Sequence, residues 1–184
     1  MIYSLVNGIV PRGAIDFGFG VENYEDEIYG PVLASCHHLE SKVADWPRVV
    51  VGEGLYRELQ NGADTVPQDP AASLNVAFAK EALHWVAKDA HDIYFVDYLG
   101  TYGREHLSEI LDTDAQQSLD LAHVKVEELL EKYQADAKIR AKYEALLKYF
   151  DDRLGDLNSE RRGRAEMLVA EARMEHRLSD DPER

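Results

Sequence analysis

Cysteine is almost missing from this 184-residue chain: Cys36 stands alone, so no disulfide can close within it. That excludes a disulfide-stapled scaffold and suits a reducing compartment. Basic charge is scarce as well. Twenty Lys and Arg face 35 Asp and Glu, a net charge of -15, which repels phosphate backbones and anionic bilayers and argues against nucleic acid or a membrane surface as partner. Long apolar runs are lacking: none approaches the roughly 20 residues that span a bilayer. The stretch 1–10 is apolar but has neither the positive start nor the small-residue cleavage site of a signal peptide. A cytoplasmic chain is therefore expected. There is no internal repeat and no low-complexity tract. What is present is an ordinary core-forming composition, 45% hydrophobic, in a length that suits one domain with an appendage.

Periodicity divides the chain into a mixed first part and a helical second part. Ile2, Leu5, Val6 and Ile9 share one helical face that Gly8 and Pro11 end, as in the tail of a helix. From Arg12 to Gly20 the side chains alternate, with Ala14 and Asp16 on one side and Ile15, Phe17 and Phe19 on the other, which predicts a half-buried strand. A helix is expected over 31–43, opened by Pro31. Pro47 to Val51 reads as a buried strand, 55–59 as a short helix, 61–73 as a surface loop, 77–87 as helical and 93–99 as a third strand. Beyond Gly103, Leu119, Ala122, Val126, Leu129, Leu130 and Tyr133 form one apolar stripe. Ile139, Tyr143, Leu146, Leu147, Phe150 and Leu154 form a second, with Asp136 placed to cap it and Gly155 to close it. These two helices should pack as a hairpin over 104–156. The remainder, 157–184, is dense in Glu and Arg and reads as a charged helical or disordered tail, with Arg161, Arg162 and Arg164 decorating a solvated face.

Two ordered blocks carry a resemblance. Arg12-Gly-Ala-Ile-Asp-Phe-Gly18 and Ile28-Tyr-Gly-Pro-Val-Leu-Ala-Ser-Cys-His-His-Leu-Glu-Ser41 resemble the strand and following helix of class III adenylyl and guanylyl cyclases. There an R-G-(A/G)-I-x-x-G strand leads through a loop to (Y/F)-G-x-x-V-N-x-A-x-R-L-E-S. Lys42 to Val51, Tyr94 to Leu99 and Lys142-Tyr143 are closer to uncharacterised bacterial cyclase-like proteins. The resemblance covers 1–103 and extends only loosely into the helical part. It implies an α+β fold: a partial, largely antiparallel ferredoxin-like cyclase sheet over 1–103, covered by helices, then the hairpin and the tail.

Such cyclases hold two divalent metals, magnesium or manganese, on carboxylates upstream of the first block, a region this sequence does not contain. Their helix supplies an Asn that orients the ribose and, four residues on, an Arg that stabilises the reacting phosphate. Those places fall on Ala34 and His38. Alanine has no polar group, and histidine cannot make the guanidinium fork. The purine-selecting Asp falls on Glu27, which keeps a carboxylate, although Glu27 also ends an acidic run with Glu22, Glu25 and Asp26 that reads equally as a solvated loop. Arg12 and His38 complete the candidate nucleotide contacts, with a structural ion pair the blander reading of Arg12.

Other candidates carry bland readings too. Cys36, His37 and His38 suggest a metal, yet neighbours on a helix point about 100° apart, so partners such as His84 or His91 would have to complete a site. His91-Asp92 has no nucleophile at a recognisable spacing and suits a turn. Trp46 and Trp85 suit core or interface anchoring. Three functional expectations follow: a truncated, degenerate cyclase-like module that associates as a homo-oligomer or with a cyclase-like partner; part of an active cyclase completed by missing residues; or a structural or small-ligand domain with no nucleotide. A partial sheet leaves an open edge and a bare apolar surface, which independently favours association.

Overall fold

The computed structural model describes residues 1–22, 28–110, 115–155 and 159–179. Glu27, with Glu25 and Asp26, lies outside the described residues. The chain forms two units. One is Pro11–Gly103; the other joins Met1–Val10 to Arg104–Arg184.

In the first unit β-branched and aromatic residues form short strands: β1 (Gly13–Ile15), β2 (Val21–Glu22), β3 (Ile28–Tyr29), β4 (Val49–Val51), β5 (Val86–Lys88) and β6 (Tyr94–Val96). Four of them make a mixed sheet in the order β1-β4-β6-β5. β1 runs parallel to β4, with Ala14 beside Val50, whereas β4 and β6, and β6 and β5, are antiparallel, with Val50 and Ala87 flanking Phe95. β2 and β3 form a separate ribbon that sets Val21 opposite Tyr29. The molecule is thus α+β, and two of the three pairings in the four-stranded sheet are antiparallel. Val50, Val51, Phe95, Tyr98 and Leu99 are its buried centre.

Helices in this unit differ from the sequence expectation in extent. Helix 31–43 divides into α2 (Pro31–His38) and a π-helical turn, Leu39–Val43. α3 (Glu53–Asp64) is twice as long as the expected 55–59, because nothing in Arg57 to Asp64 breaks a helix strongly. α4 (Pro70–His84) starts inside the expected loop, with Pro70 in its first turn and the Asp69 carboxylate accepting the Ala72 N–H at 2.7 Å. The expected loop over 61–73 shrinks to the few residues between α3 and α4. Val86 and Ala87, expected to end a helix over 77–87, belong instead to β5 and pair with β6.

The alternation over 12–20 has an unexpected orientation. Its small side is the more covered, with Ala14 half-buried and Asp16 bonded to Ser35 of α2, and its apolar side faces out: Phe17 is 58% and Phe19 70% exposed. Of the strand expected over 12–20 only Gly13–Ile15 is formed, and the large residues of the segment lie on the outside.

The second unit is helical: α1 (Ile2–Val6), α5 (Thr101–Ile110), which straddles the unit boundary, α6 (Ala115–Lys132), α7 (Ala137–Leu154) and α8 (Ser159–Ser179). Asp136 caps α7 by accepting from Lys138 N and Ile139 N at 3.0 Å, and Gly155 closes it at a φ of 71°. Leu119, Ala122 and Val126 of α6 and Leu146 and Phe150 of α7 are buried. Residues 1–10 belong here rather than with 11–103, because Ile2 and Leu5 bury their side chains in α1, which packs on α6. The grouping of 1–103 is corrected accordingly.

The solvated tail is corrected too. α8 packs on α6 through Ala165 and Val169 against Val124 and Leu121. A polar stripe on α6 holds its basic residues: Arg161 makes a bidentate pair with Asp120, and Arg162 one with Glu127. Asp120 and Glu127 sit seven residues apart on α6, one face of a helix, and receive adjacent arginines of α8.

His123 of α6 is buried below that stripe. Its Nε2 lies 3.0 Å from Asp151 of α7 without hydrogen-bond alignment. Burial pushes its pKa below the usual 6.5, helped by Arg162 and Arg161 of α8; Asp151 and Glu127 pull the other way. A lowered histidine pKa means that the unfolded chain takes up a proton the folded one refuses. Stability is therefore full above 6.5 and falls as pH drops from there toward the folded value. Unfolding of this unit, followed by circular dichroism, is expected to become easier between about pH 7 and about pH 5, by at most about 1.4 kcal/mol per pH unit. His123→Gln should flatten that slope, and an unchanged slope in this variant would refute the assignment.

Candidate functional site

β1, α2 and the turn between β4 and α3 converge on Asp16. β4 ends at Val51 and passes through Gly52 directly into α3, whose first residues are Glu53 and Gly54, a strand-glycine-helix passage whose first N–H groups have no partners within the helix. Asp16 fills that place. Its Oδ1 accepts from Phe17 N at 2.8 Å and Leu55 N at 3.0 Å, and Gly54 N also donates to the carboxylate. Its Oδ2 accepts from Ser35 Oγ at 2.7 Å. Burial acts to raise the Asp16 pKa, but the bonds from Ser35, Phe17, Leu55 and Gly54 outweigh it and hold the carboxyl below its ordinary value. The two glycines are required by this contact. A Cβ on Gly52 would overlap the carboxylate, and one on Gly54 would stand 2.7 Å from Phe17 O.

The arrangement is an anion cradle at a helix N-terminus whose anion is part of the chain. Chemically it caps α3 and ties β1 to α2 and α3; an incoming phosphate would have to displace a carboxylate that holds at least four donors.

Around it the sequence candidates are dispersed. Arg12 Nε donates to Glu40 at 2.7 Å, and the two side chains form an ion pair. Ala34 and His38 lie four apart on α2, both exposed, one helical step around from Ser35. His37 is also exposed and Cys36 half-buried. His84 stacks at 4.8 Å on Tyr102, away from this cluster in sequence and contacts. His91 donates its backbone N–H to Asp89 in the β5–β6 turn, where Asp92 adopts a φ of 64°. Among the described residues, no group of three or more His, Cys, Asp or Glu gathers to hold a metal ion, and no helix is long and apolar enough to cross a membrane.

A second polar centre lies deeper. Arg48, just before β4, is fully buried. Its guanidinium donates to Asp89 Oδ2 at 2.6 Å, Asp45 Oδ1 at 2.8 Å and Val43 O at 3.2 Å, and lies 5.0 Å from the Trp46 ring. Asp89 also accepts from His91 N and Ile93 N, and these bonds with Arg48 overcome the effect of burial and keep its pKa low.

Neither Asp16 nor Arg48 stood out in the sequence as a site. For Asp16 a signal existed: Gly-Glu-Gly directly after a β-branched strand marks a close approach to an anion. Arg48, inside Pro47-Arg-Val-Val-Val51, gave none.

The chain matches no family model, no curated protein and no solved structure.

Proposed function

We propose that this chain is a degenerate nucleotidyl cyclase-like module that acts by association rather than by making a cyclic nucleotide. The observation that carries it is the outward apolar stripe that runs from the end of β1 to the start of β2: Ile15, Phe17, Phe19 and Val21, all at least 47% exposed. A segment that turns its large apolar side chains to water is a surface to be covered.

The catalytic half of the reading rests on chemistry. Phosphoryl transfer needs charge stabilisation at the reacting phosphate and divalent ions held by carboxylates. Here Ala34 and His38 stand in the family's amide and guanidinium positions, Arg12 is spent on Glu40, and Asp16 is spent on the start of α3. Magnesium or manganese would enter only with carboxylates supplied from outside the described residues, and a purine nucleotide would have Glu27 as its remaining family contact.

Two measurements test this. Purified chain with ATP or GTP and either metal is expected to yield no cyclic nucleotide; robust production would defeat the catalytic half. A photo-reactive phenylalanine analogue in place of Phe19 is expected to give a discrete cross-linked adduct in the native cell, and the same analogue in place of Glu58 on α3 none. Absence of any adduct at position 19 would defeat the association half.

A further inference from the structure

α8 (Ser159–Ser179) lies on α6 over a patch that is largely ionic. Among the described residues, its apolar hold is Ala165 and Val169 against Val124, with Leu121 beside them. Its polar hold is the two bidentate pairs, Arg161 on Asp120 and Arg162 on Glu127. His123 shares that face of α6, three residues after Asp120 and four before Glu127, so both carboxylates are its helical neighbours. It is 1% exposed, and neither ring nitrogen has a hydrogen-bond partner. A buried imidazole left unsatisfied between two arginine pairs costs free energy in the covered form.

The charges around His123 come from three helices. α6 supplies Asp120 and Glu127; α7 supplies Asp151, whose Oδ1 is 3.0 Å from Nε2; α8 supplies Arg161 and Arg162, with Glu166 beside Arg162. α1, which also packs on α6, adds only the Met1 amino group and Tyr3, and Phe150 of α7 packs at 5.5 Å between ring centres. With α8 in place each of the two α6 carboxylates faces a guanidinium, and a proton on His123 would be a third cation in a closed space. With α8 lifted, the arginines leave, water enters, and Asp120, Glu127 and Asp151 all remain near the imidazole. The covered form therefore refuses a proton that the uncovered form accepts.

We propose that α8 is a strap over the Asp120–Glu127 face of α6 and that a proton taken up by His123 releases it. The proton replaces the two guanidiniums as the cation among the carboxylates. Release uncovers Leu121, Val124, Asp120 and Glu127, a mixed acidic and apolar face that is closed at neutral pH. α8 is the element that yields, because its apolar hold is a few side chains, whereas α6 and α7 bury Leu119, Ala122, Val126, Leu146 and Phe150. The strap is separate from the stripe on 15–21 and operates whether or not that stripe is covered. By linkage, the ratio of uncovered to covered form rises as pH falls below the ordinary histidine value of 6.5, by at most about tenfold per pH unit.

Hydrogen exchange of the full chain, read by mass spectrometry at about pH 7.5 and about pH 5.5 and corrected for the intrinsic rate, tests this. Amides of 161–171 are expected to be less protected than the best protected amides of 119–132 and 139–154 at both pH values, and to lose about tenfold in protection at the lower one. His123→Gln should remove the pH dependence of 161–171. Val169→Ala weakens the apolar hold without touching a charge; it should lower protection of 161–171 several-fold at both pH values and leave the pH ratio unchanged. Protection of 161–171 equal to that of α6 and α7 would mean that α8 leaves only with the whole unit. A pH ratio below about twofold in the wild type, or one that survives His123→Gln, would mean that His123 does not control it. Any of these results overturns the strap. Should His123→Gln fail to fold, the wild-type comparison and Val169→Ala still decide.

Discussion

Asp89→Ala is expected to cost the strand unit about 3 to 5 kcal/mol, whereas Arg48→Met should cost less than about 2 kcal/mol. The asymmetry follows from where the charges lie. Arg48 has no exposed surface, and with Asp89 removed its guanidinium keeps only Asp45, whose side chain is 64% exposed, and one carbonyl. A buried cation without its main counter-ion has lost hydration and gained nothing in return. Removing the arginine instead leaves Asp89, 19% exposed, with its two backbone donors His91 N and Ile93 N. Methionine fills much of the same volume against Trp46 and Phe95. Both tryptophans of the chain, Trp46 and Trp85, belong to the Pro11–Gly103 unit, so their fluorescence in urea reports on this unit alone. Equal losses in the two variants would mean that the pair is worth no more than its packing.

The second large effect is expected at the cradle. Gly52→Ala forces a methyl into the Asp16 carboxylate, which its bonds to Phe17, Leu55 and Ser35 hold in place; a loss of about 2 to 4 kcal/mol is expected. Asp16→Ala removes a helix cap and should cost about 1 to 2 kcal/mol. The double variant is the informative one. Once the carboxylate is gone the methyl has room, so the double variant should be no less stable than Gly52→Ala alone, a coupling of at least about 1 kcal/mol. Losses that simply add would show that the glycine serves some other need.

Much of the helical unit was legible in the sequence because its signals are local. The stripes on 119–133 and 139–154, the Asp136 cap and the Gly155 stop are set by residues within a few positions of one another, and α6 and α7 follow them. What escaped depended on distant partners. Arg161 and Arg162 read as solvated because Asp120 and Glu127 lie about ten helical turns earlier along the chain, and only the packing of α8 brings them together. The alternation over 12–20 was legible, but which side faces inward depends on Asp16 meeting Ser35 and Leu55, and alternation alone is symmetric in that respect. The candidate site divides along the same line. Arg12, Ala34 and His38 could be located by spacing, whereas Asp16 acquires its role only when α3 and Ser35 arrive.

The composition of the helical unit has a consequence for biosynthesis. α1 is five residues long, far below the length at which a helix persists alone in water, and the surface that shelters Ile2 and Leu5 is α6, which begins at Ala115. At roughly 5 to 20 residues per second, α1 must wait on the order of ten seconds after its own synthesis for its binding surface to be translated. During that interval its two buried apolar side chains are open to any nascent-chain chaperone, and the whole strand unit is synthesised before the first helix finds its place.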